Sequence, residues 1–289
     1  MQSSIALSIG LPAALVIIML GLGLSLRFDD FARVLARPLP VIIGLALQVV
    51  LLPAICFVLV YLWSLPPAIG VGMMLLAASP GATSAALYTH LARGDVALSL
   101  SMAAFSSLLA IFSLPIIVNL SLVAFHGEGG AVALQIHQVL QIFVIAIVPA
   151  IVGILIRSRY PSLAASLDRP VKLLATVFLA IVVIFALISQ WSLLAEWGPM
   201  VGAVTLIFNL ICFAVAFFVP RALGVEHRQA VALAMSIGIR NAALVIALAM
   251  SEFMLNDAEM AIPPAMYGLV AYITGAIIVW LLNRRPVAA

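Results

Sequence analysis

Charged residues are scarce in this sequence: Asp, Glu, Lys and Arg together make up 8% of its 289 residues. A soluble domain has roughly a quarter of its residues charged, because its surface faces water. Hydrophobic residues instead reach 66%, and the mean hydropathy is +1.33. The composition therefore excludes an ordinary water-soluble fold and indicates a chain whose surface lies largely in lipid.

Catalytic and metal-binding patterns are also missing. There is no His-Glu-x-x-His, no Gly-x-Ser-x-Gly, and all ten acidic residues fall in loops or near predicted helix ends. The two cysteines, Cys56 and Cys212, lie in apolar runs and are predicted to pack as small hydrophobic residues. These absences argue against an intramembrane enzyme, and we expect neither a metal nor a cofactor.

Long apolar runs, separated by charged or Pro/Gly-rich segments, predict nine transmembrane helices. Their approximate bounds are 5–26, 38–62, 68–91, 95–122, 131–156, 170–190, 198–220, 227–251 and 259–282. We expect an all-α fold in which residues 1–289 form a single integral membrane domain. An odd number of crossings places the two termini on opposite sides of the membrane.

The basic residues support this count, because they lie almost entirely on one side. Twelve of the 13 Lys and Arg residues fall in the loops after crossings one, three, five and seven or near the C-terminus. The positive-inside rule therefore predicts that the N-terminus lies outside and the C-terminus in the cytoplasm. We expect a multi-pass protein of the bacterial inner membrane. Because this topology accounts for the basic residues, the pI of about 9.2 does not imply a nucleic-acid partner.

Crossings three and eight share an interrupted pattern. Pro80-Gly81 in crossing three and Gly238 in crossing eight predict breaks in the helices, and Ser79 and Gly81 align with Ser236 and Gly238. With the same offset, 85–87 (Ala-Ala-Leu) aligns with 242–244, which has the same three residues. Because the two crossings run in opposite directions, the pattern predicts an inverted repeat with two discontinuous helices that cross, as in secondary transporters. Two merely kinked structural helices are the alternative.

Arg240 is the one basic residue predicted inside the membrane, beside the second break. A central arginine costs roughly 2.5–3.5 kcal/mol on insertion scales, so it needs polar partners. One interpretation is a fixed positive charge that binds an anionic substrate or replaces a coupling cation. The other is a structural arginine that donates to the carbonyls of the unwound backbone, and the two roles are compatible.

Four stretches along nearly the whole chain together resemble the bile acid:sodium symporter family. They are Gly21-Leu22-Gly23-Leu24-Ser25-Leu26 with Asp30-Phe31 and Arg37-Pro38, then Pro80-Gly81-Ala82-Thr83-Ser84, then Leu91-Ala92-Arg93-Gly94-Asp95-Val96-Ala97-Leu98-Ser99, and Gly238-Ile239-Arg240-Asn241. The resemblance implies a core domain that contains the crossed helices and a panel domain against which it moves. It also implies transport of organic anions, such as bile acids or small carboxylates like pantoate, usually driven by sodium.

The same resemblance implies that the sodium sites are degenerate. Gln48, Ser99 and Asn241 match polar residues of the family pattern, whereas Ser236 stands where the family has a glutamate and Arg240 where it has a glutamine. Further polar positions of the pattern are occupied by Ala85, Ala86 and Ala103. Sodium needs several oxygen ligands and is repelled by a nearby guanidinium. The sequence therefore predicts that neither sodium site is intact and that sodium coupling is doubtful.

The candidate substrate-binding residues are Thr83, Ser84, Arg240 and Asn241, at the two predicted breaks. Further candidates are Asn209, Tyr272 and the glutamines Gln135, Gln138 and Gln141 along crossing five, which form either a cavity wall or a polar seam between helices. For proton coupling, the candidates inside the membrane are His90 and His137, with packing as the alternative. The predicted function is an alternating-access carrier of organic anions without sodium coupling. A sodium-coupled symporter with a reduced site remains open, as does a channel or membrane sensor. The sequence does not indicate the oligomeric state.

Overall fold

The protein is described by a computed structural model that covers residues 38–126, 148–149, 151–167, 191–251 and 254–284, with parts of 16–24 and 170–181. Every named element in this part of the chain is a helix. Predicted crossings 5–26, 131–156 and 170–190 lie wholly or largely outside it. The count of nine, the inverted repeat and the core and panel domains therefore stay predictions, whereas the all-helical class is observed in the described residues.

The first helical span consists of three consecutive segments. Helix α1 covers Pro38–Ala46, a π-helical turn covers Leu47–Leu51, and α2 covers Leu52–Leu62. Pro53 has no N–H to donate to the preceding turn, and beside it the turn is widened, so that Leu52 N donates to Leu47 O. The span matches the predicted crossing 38–62 and brings Gln48 into the π-helical turn.

Predicted crossing three contains two helices, α3 (Pro67–Ala78) and α4 (Ala85–Leu91). It is followed by α5 (Val96–His126), which is bent by 55° where Val96–Ala110 meets Phe112–Phe125. Pro115 explains the bend, because its ring clashes with the carbonyl four residues earlier and it cannot donate a hydrogen bond there.

The second part of the chain also contains long and interrupted helices. Helix α6 spans Trp191–Ala222, α7 spans His227–Gly238 and α8 spans Ala242–Met250. A 3₁₀ turn, Glu259–Ala261, leads into α9, Ile262–Arg284. Helix α6 begins at Trp191, before the predicted start at residue 198. Pro199 lies inside this helix and does not mark its beginning.

Three of these helical spans are individually long and apolar enough to cross a bilayer: Pro38–Leu62, Ala195–Ala222 and Glu259–Arg284. The two bent parts of α5 make a fourth if they count as one span. The interrupted helices are shorter, and α3, α7 and α8 lie largely in the protein interior, whereas α4 exposes Leu87, His90 and Leu91. All ten residues of α7 from Gln229 to Gly238 are buried, as are the last seven residues of α8. Irregular backbone at membrane depth is tolerated when protein surrounds it in this way.

Candidate functional site

The first interruption separates α3 from α4 at Ser79–Ser84. Ser79 has an extended backbone (φ −66°, ψ 146°), as expected for a residue directly before proline, where the helical conformation is disfavoured. Helix α4 then begins at Ala85. The break thus leaves the last carbonyls of α3 without partners from the same helix.

The second interruption separates α7 from α8 and is shorter. Ile239 has an extended backbone (φ −106°, ψ 94°), and Asn241 caps α8, because its side-chain Oδ1 accepts a hydrogen bond of 3.1 Å from Leu244 N. An asparagine is among the best residues for this position. The asparagine therefore defines where the second half of the broken helix begins.

The two interruptions cross and pair through their backbones. Ala82 N donates to Ile239 O and Asn241 N donates to Pro80 O, both at 2.9 Å, and Gly81 and Arg240 form an antiparallel bridge. A Cβ on Gly81 would lie 2.6 Å from Ser236 O. Such a contact is impossible without displacement, so the crossing requires glycine at this position.

The register of this pairing differs in one respect from the alignment of the two crossings in the sequence. Ala85 and Ala242 both begin the second halves, as aligned. The first halves end at Ala78 and Gly238, whereas the alignment pairs Ala78 with Met235. One interruption is therefore three residues longer than the other, and Gly81 lies opposite Arg240 rather than Gly238.

Arg240 directs its guanidinium at the C-terminal end of α3. Its Nη1 donates to Ala77 O at 2.7 Å and to Ser79 O at 3.1 Å, and the residue is only 3% exposed. The C-terminus of a helix carries a partial negative charge, which stabilises a cation there. Gln48 Nε2 also donates to Ser79 O, at 3.2 Å, so two side chains from different spans fill this end of the helix.

The remaining surroundings of the guanidinium are apolar or weakly polar. Its Nη2 lies 3.9 Å from Cys212 Sγ, and its Cζ lies 5.7 Å from the centre of the Phe208 ring. In the described part of the chain no ion pair involves Arg240, and no group of three metal-ligating residues occurs. The helix carbonyls, rather than a carboxylate, are the observed acceptors for the arginine.

The C-terminal end of α7 is filled by neutral donors instead. Tyr267 Oη donates to Gly238 O at 2.8 Å and Asn209 Nδ2 donates to the same oxygen at 3.0 Å. Thr274 Oγ1 donates to Asn209 Oδ1, which fixes the orientation of the amide. Helices α6 and α9 therefore supply the donors at this end, as Arg240 and Gln48 do at the end of α3.

The residues predicted as remnants of cation sites are buried around the crossing, except Ala86. Ser99 Oγ and Ser236 Oγ share a hydrogen bond of 2.8 Å, and each side chain is 1% exposed. Ala85 and Ala103 are buried without side-chain polar atoms, and Ala86 is half-buried. Ser236, which the resemblance aligns with a glutamate of the family pattern, thus bonds to a second serine hydroxyl.

Thr83, Ser84 and Asn241 lie on the more open side of the crossing. Thr83 is exposed, Ser84 and Asn241 are half-buried, and Ser84 Oγ is 3.1 Å from Tyr272 Oη. The fourth predicted substrate residue, Arg240, is buried and faces α3 instead. His90 is exposed at the end of α4, whereas Gln135, Gln138, Gln141 and His137 lie outside the described residues.

Sequence reasoning missed several residues that complete this site. Ser106 Oγ accepts a hydrogen bond of 3.2 Å from Gly81 N, and Tyr267, Thr274 and Phe208 enter through the contacts described above. Each lies in a long apolar helix with no motif to distinguish it from packing residues. The Pro and Gly signals mark the interruptions but carry no information about which side chains reach them.

Buried, mutually bonded interruptions of two apolar helices are characteristic of multi-pass membrane transporters, whose binding sites form at discontinuous helices. The model of the Sodium Bile acid symporter family matches residues 12–197. This chain belongs to that family, and it is a multi-pass membrane protein of a transporter class. The resemblance noted in the sequence is thereby confirmed.

Three relatives illustrate the range of the similarity. The chain is 27% identical over 274 residues to the uncharacterized sodium-dependent transporter YocS of Bacillus subtilis, covering 93% of this chain and 81% of that protein. It is 26% identical to the probable sodium/metabolite cotransporter BASS1 of Arabidopsis thaliana, covering 93% of this chain and 66% of the plant protein. It is 22% identical to the ileal sodium/bile acid cotransporter of Oryctolagus cuniculus, covering 88% of this chain and 73% of that protein.

Proposed function

We propose that this protein is a secondary transporter of small organic anions that works by alternating access without sodium coupling. One observation carries the proposal: the guanidinium of Arg240 donates to Ala77 O and Ser79 O at the C-terminal end of α3. Carbonyls at the end of a broken helix are the groups that bind a coupling cation in secondary transporters. Here a covalently attached cation occupies them.

Electrostatics supports the absence of a sodium ion from this place. Two unit positive charges at 4 Å repel by about 4 kcal/mol at an effective dielectric constant of 20. A sodium ion beside the buried guanidinium must overcome that repulsion and also find oxygen ligands. The hydroxyls of Ser99 and Ser236 are bonded to each other and offer no negative charge, so the site lacks the means to offset the repulsion.

Arg240 then has the role of a permanent cation that holds the crossing together. In a sodium-coupled carrier, the ion contributes to the stability of the crossing only while it is bound. The guanidinium instead keeps α3 and the break before α8 joined throughout the cycle. Transport would follow as uniport or exchange, driven by the gradient of the substrate itself.

Thr83, Ser84 and Asn241 are the proposed substrate contacts. They lie on the open side of the crossing, where the N-terminal ends of α4 and α8 carry partial positive charge that favours an anion. Names of relatives refer to bile acids and to metabolites, which supports an organic solute such as a bile-acid-like molecule or a small carboxylate. A carrier accounts for the paired interruptions better than an enzyme, channel or sensor does.

Sodium-coupled symport is the second candidate, because the printed names of relatives describe sodium-dependent transporters and cotransporters. A sodium site that lies elsewhere in the chain would satisfy this candidate without involving Ala77 O and Ser79 O. The two candidates differ in a single measurable property, which is the effect of sodium on the transport rate.

The experiment begins with a thermal-shift screen of the purified protein against organic anions in sodium-free buffer. A ligand at 100 times its dissociation constant stabilises the folded state by about 2.7 kcal/mol, which is readily detected. Uptake of the best ligand is then measured in proteoliposomes with sodium or with potassium outside. We expect saturable uptake at the same rate in both salts. Strictly sodium-dependent uptake contradicts the proposal, and an ohmic current contradicts a carrier mechanism.

A further inference from the structure

Only one edge of the Arg240 guanidinium is used by strong acceptors. Nη1 makes both hydrogen bonds to the carbonyls of α3, whereas Nε has no hydrogen-bond partner in the structure although it is buried. Nη2 has Cys212 Sγ at 3.9 Å as its partner, and sulfur is a weak acceptor. The edge formed by Nε and Nη2 therefore has almost no compensation for the water that it lost on burial.

An unpaired buried donor on a charged group is costly. Leaving such a group without a partner forfeits its hydration, which is larger for a charged group than for a neutral one. The carbonyl dipoles of α3 partly compensate the positive charge, but no carboxylate in the described part of the chain pairs with it. The two parallel N–H groups on the Nε/Nη2 edge have the geometry with which arginine binds an anion bidentately.

The surroundings restrict which anion this edge can hold. Arg240 is 3% exposed, and Phe208 and Cys212 beside it are fully buried. A bulky organic anion reaches this place only if whole helices separate. Walls made of an aromatic ring and a thiol favour a weakly hydrated monovalent anion over a strongly hydrated or divalent one, because they cannot replace a large hydration shell.

We propose that the Nε/Nη2 edge of Arg240 is a binding site for a small monovalent inorganic anion of the halide type. The anion accepts a hydrogen bond from each of the two nitrogens, and Nη1 keeps its bonds to Ala77 O and Ser79 O. The site is separate from the substrate contacts, and its presence does not depend on whether transport uses sodium.

The test measures the thermal stability of the purified full-length protein in buffers that contain potassium as the only metal cation. Chloride, bromide, nitrate or fluoride replaces gluconate at constant ionic strength. We expect the melting temperature to rise saturably with chloride, bromide and nitrate, with a single midpoint for each, and to respond much less to fluoride. An equal melting temperature in chloride and gluconate overturns the proposal.

Two variants separate a specific site from a general salt effect. Arg240→Gln should lose the response, whereas Arg284→Gln should keep it. The latter removes the same charge from an exposed arginine whose Cζ lies 3.4 Å from the centre of the Trp280 ring. A chloride response that persists in Arg240→Gln overturns the proposal.

If Arg240→Gln does not yield folded protein, the proposal is tested by soaking bromide into crystals of the unmodified protein and locating it by its anomalous scattering. The expected result is an anomalous peak within hydrogen-bonding distance of Arg240 Nε and Nη2, and no peak there overturns the proposal. Acetate and longer carboxylates form a further arm of the stability measurement. If they raise the melting temperature as much as chloride and compete with it, the edge belongs to the carboxylate of the transported anion, and the inorganic-anion proposal fails.

Discussion

Arg240 combines a permanent charge, nearly complete burial and acceptors that are backbone carbonyls from another helix. Its charge is attached covalently to the chain and stays at the crossing. The residue therefore provides a constant interaction, unlike a bound ion, whose occupancy follows concentration. These bonds match the structural role that the sequence left open, an arginine that donates to carbonyls of the unwound backbone. The role of a cation substitute stays part of the proposal.

Replacing this arginine should expose the cation site that it fills. Arg240→Gln removes charge-assisted hydrogen bonds to Ala77 O and Ser79 O, and we expect a loss of about 1.5–3 kcal/mol of stability. Adding Ser236→Glu supplies a carboxylate next to Ser99. The melting temperature of this double variant should then rise when sodium replaces potassium, whereas that of the unmodified protein should not change.

Both parts of this expectation can be contradicted in the same experiment. A sodium response in the unmodified protein shows that a sodium site exists despite Arg240. The lack of a response in the folded double variant shows that charge and ligand replacement do not account for sodium independence. Ser84→Ala serves as a control, because it removes a polar side chain on the open side of the crossing and should not create a response to sodium.

At the level of helices, the interruptions in α3–α4 and α7–α8 organise the site. Pro80 and Gly81 indicate the first and Gly238 the second, because proline removes a donor and glycine weakens the helix. The sequence did not predict that the two interruptions differ in length. The alignment with constant offset describes the starts of α4 and α8 correctly, but α7 continues three residues beyond the position aligned with the end of α3.

The crossing should be intolerant of even one additional carbon atom at Gly81. In Gly81→Ala the new Cβ lies 2.6 Å from Ser236 O, so the two interruptions must separate and the backbone bonds at 2.9 Å must lengthen. Overpacking of this kind typically costs about 1–3 kcal/mol. We expect a lower melting temperature and a large loss of substrate uptake.

Gly268→Ala is the matched control for this prediction. A Cβ there lies 3.4 Å from Ala242 Cβ, an ordinary van der Waals distance on α9 close to the same crossing. Its melting temperature and uptake should stay near those of the unmodified protein. If Gly81→Ala behaves like Gly268→Ala, the close backbone approach at the crossing is not required for transport.

For the whole molecule, the predicted membrane topology rests on the distribution of basic residues among the loops. The structure identifies three individually apolar spans, or four with the bent α5, and the sequence predicts nine crossings. The segments that decide between counts, at 5–26, 131–156 and 170–190, lie wholly or largely outside the described residues. The orientation of the termini in a bacterial inner membrane therefore remains a prediction from the positive-inside rule.

Reporter fusions expressed in bacteria test this topology directly. Alkaline phosphatase, which is active only outside the cytoplasm, should be active when fused after Gly130 and inactive when fused after Ala289. Green fluorescent protein folds and fluoresces in the cytoplasm but not after export in an unfolded state, so its fusions should give the opposite pattern. Equal behaviour of the two fusion points contradicts an odd number of crossings between them, and a reversed pattern contradicts the predicted orientation.

The sequence alone determined the membrane environment, the all-helical class and the positions of the two interruptions. These follow from composition, from apolar run length and from the conformational limits of proline and glycine, which act locally along the chain. It also identified Arg240 as anomalous, because a charge inside an apolar run requires compensation. Family membership followed from motifs in their order and spacing, and the family comparison confirms it.

The tertiary structure decided which groups meet the arginine and the other interrupted ends. Ala77 O and Ser79 O are backbone atoms, and every residue has such a carbonyl. Residue types therefore do not indicate that these two are the partners. Tyr267, Asn209 and Ser106 reach the crossing from helices distant in sequence. Their roles depend on how helices pack, since the same residue types elsewhere in an apolar helix would be packing residues. The charge of Arg240 and its need for carbonyl partners were predicted from the chain, but the identity of those carbonyls, Ala77 O and Ser79 O, was not.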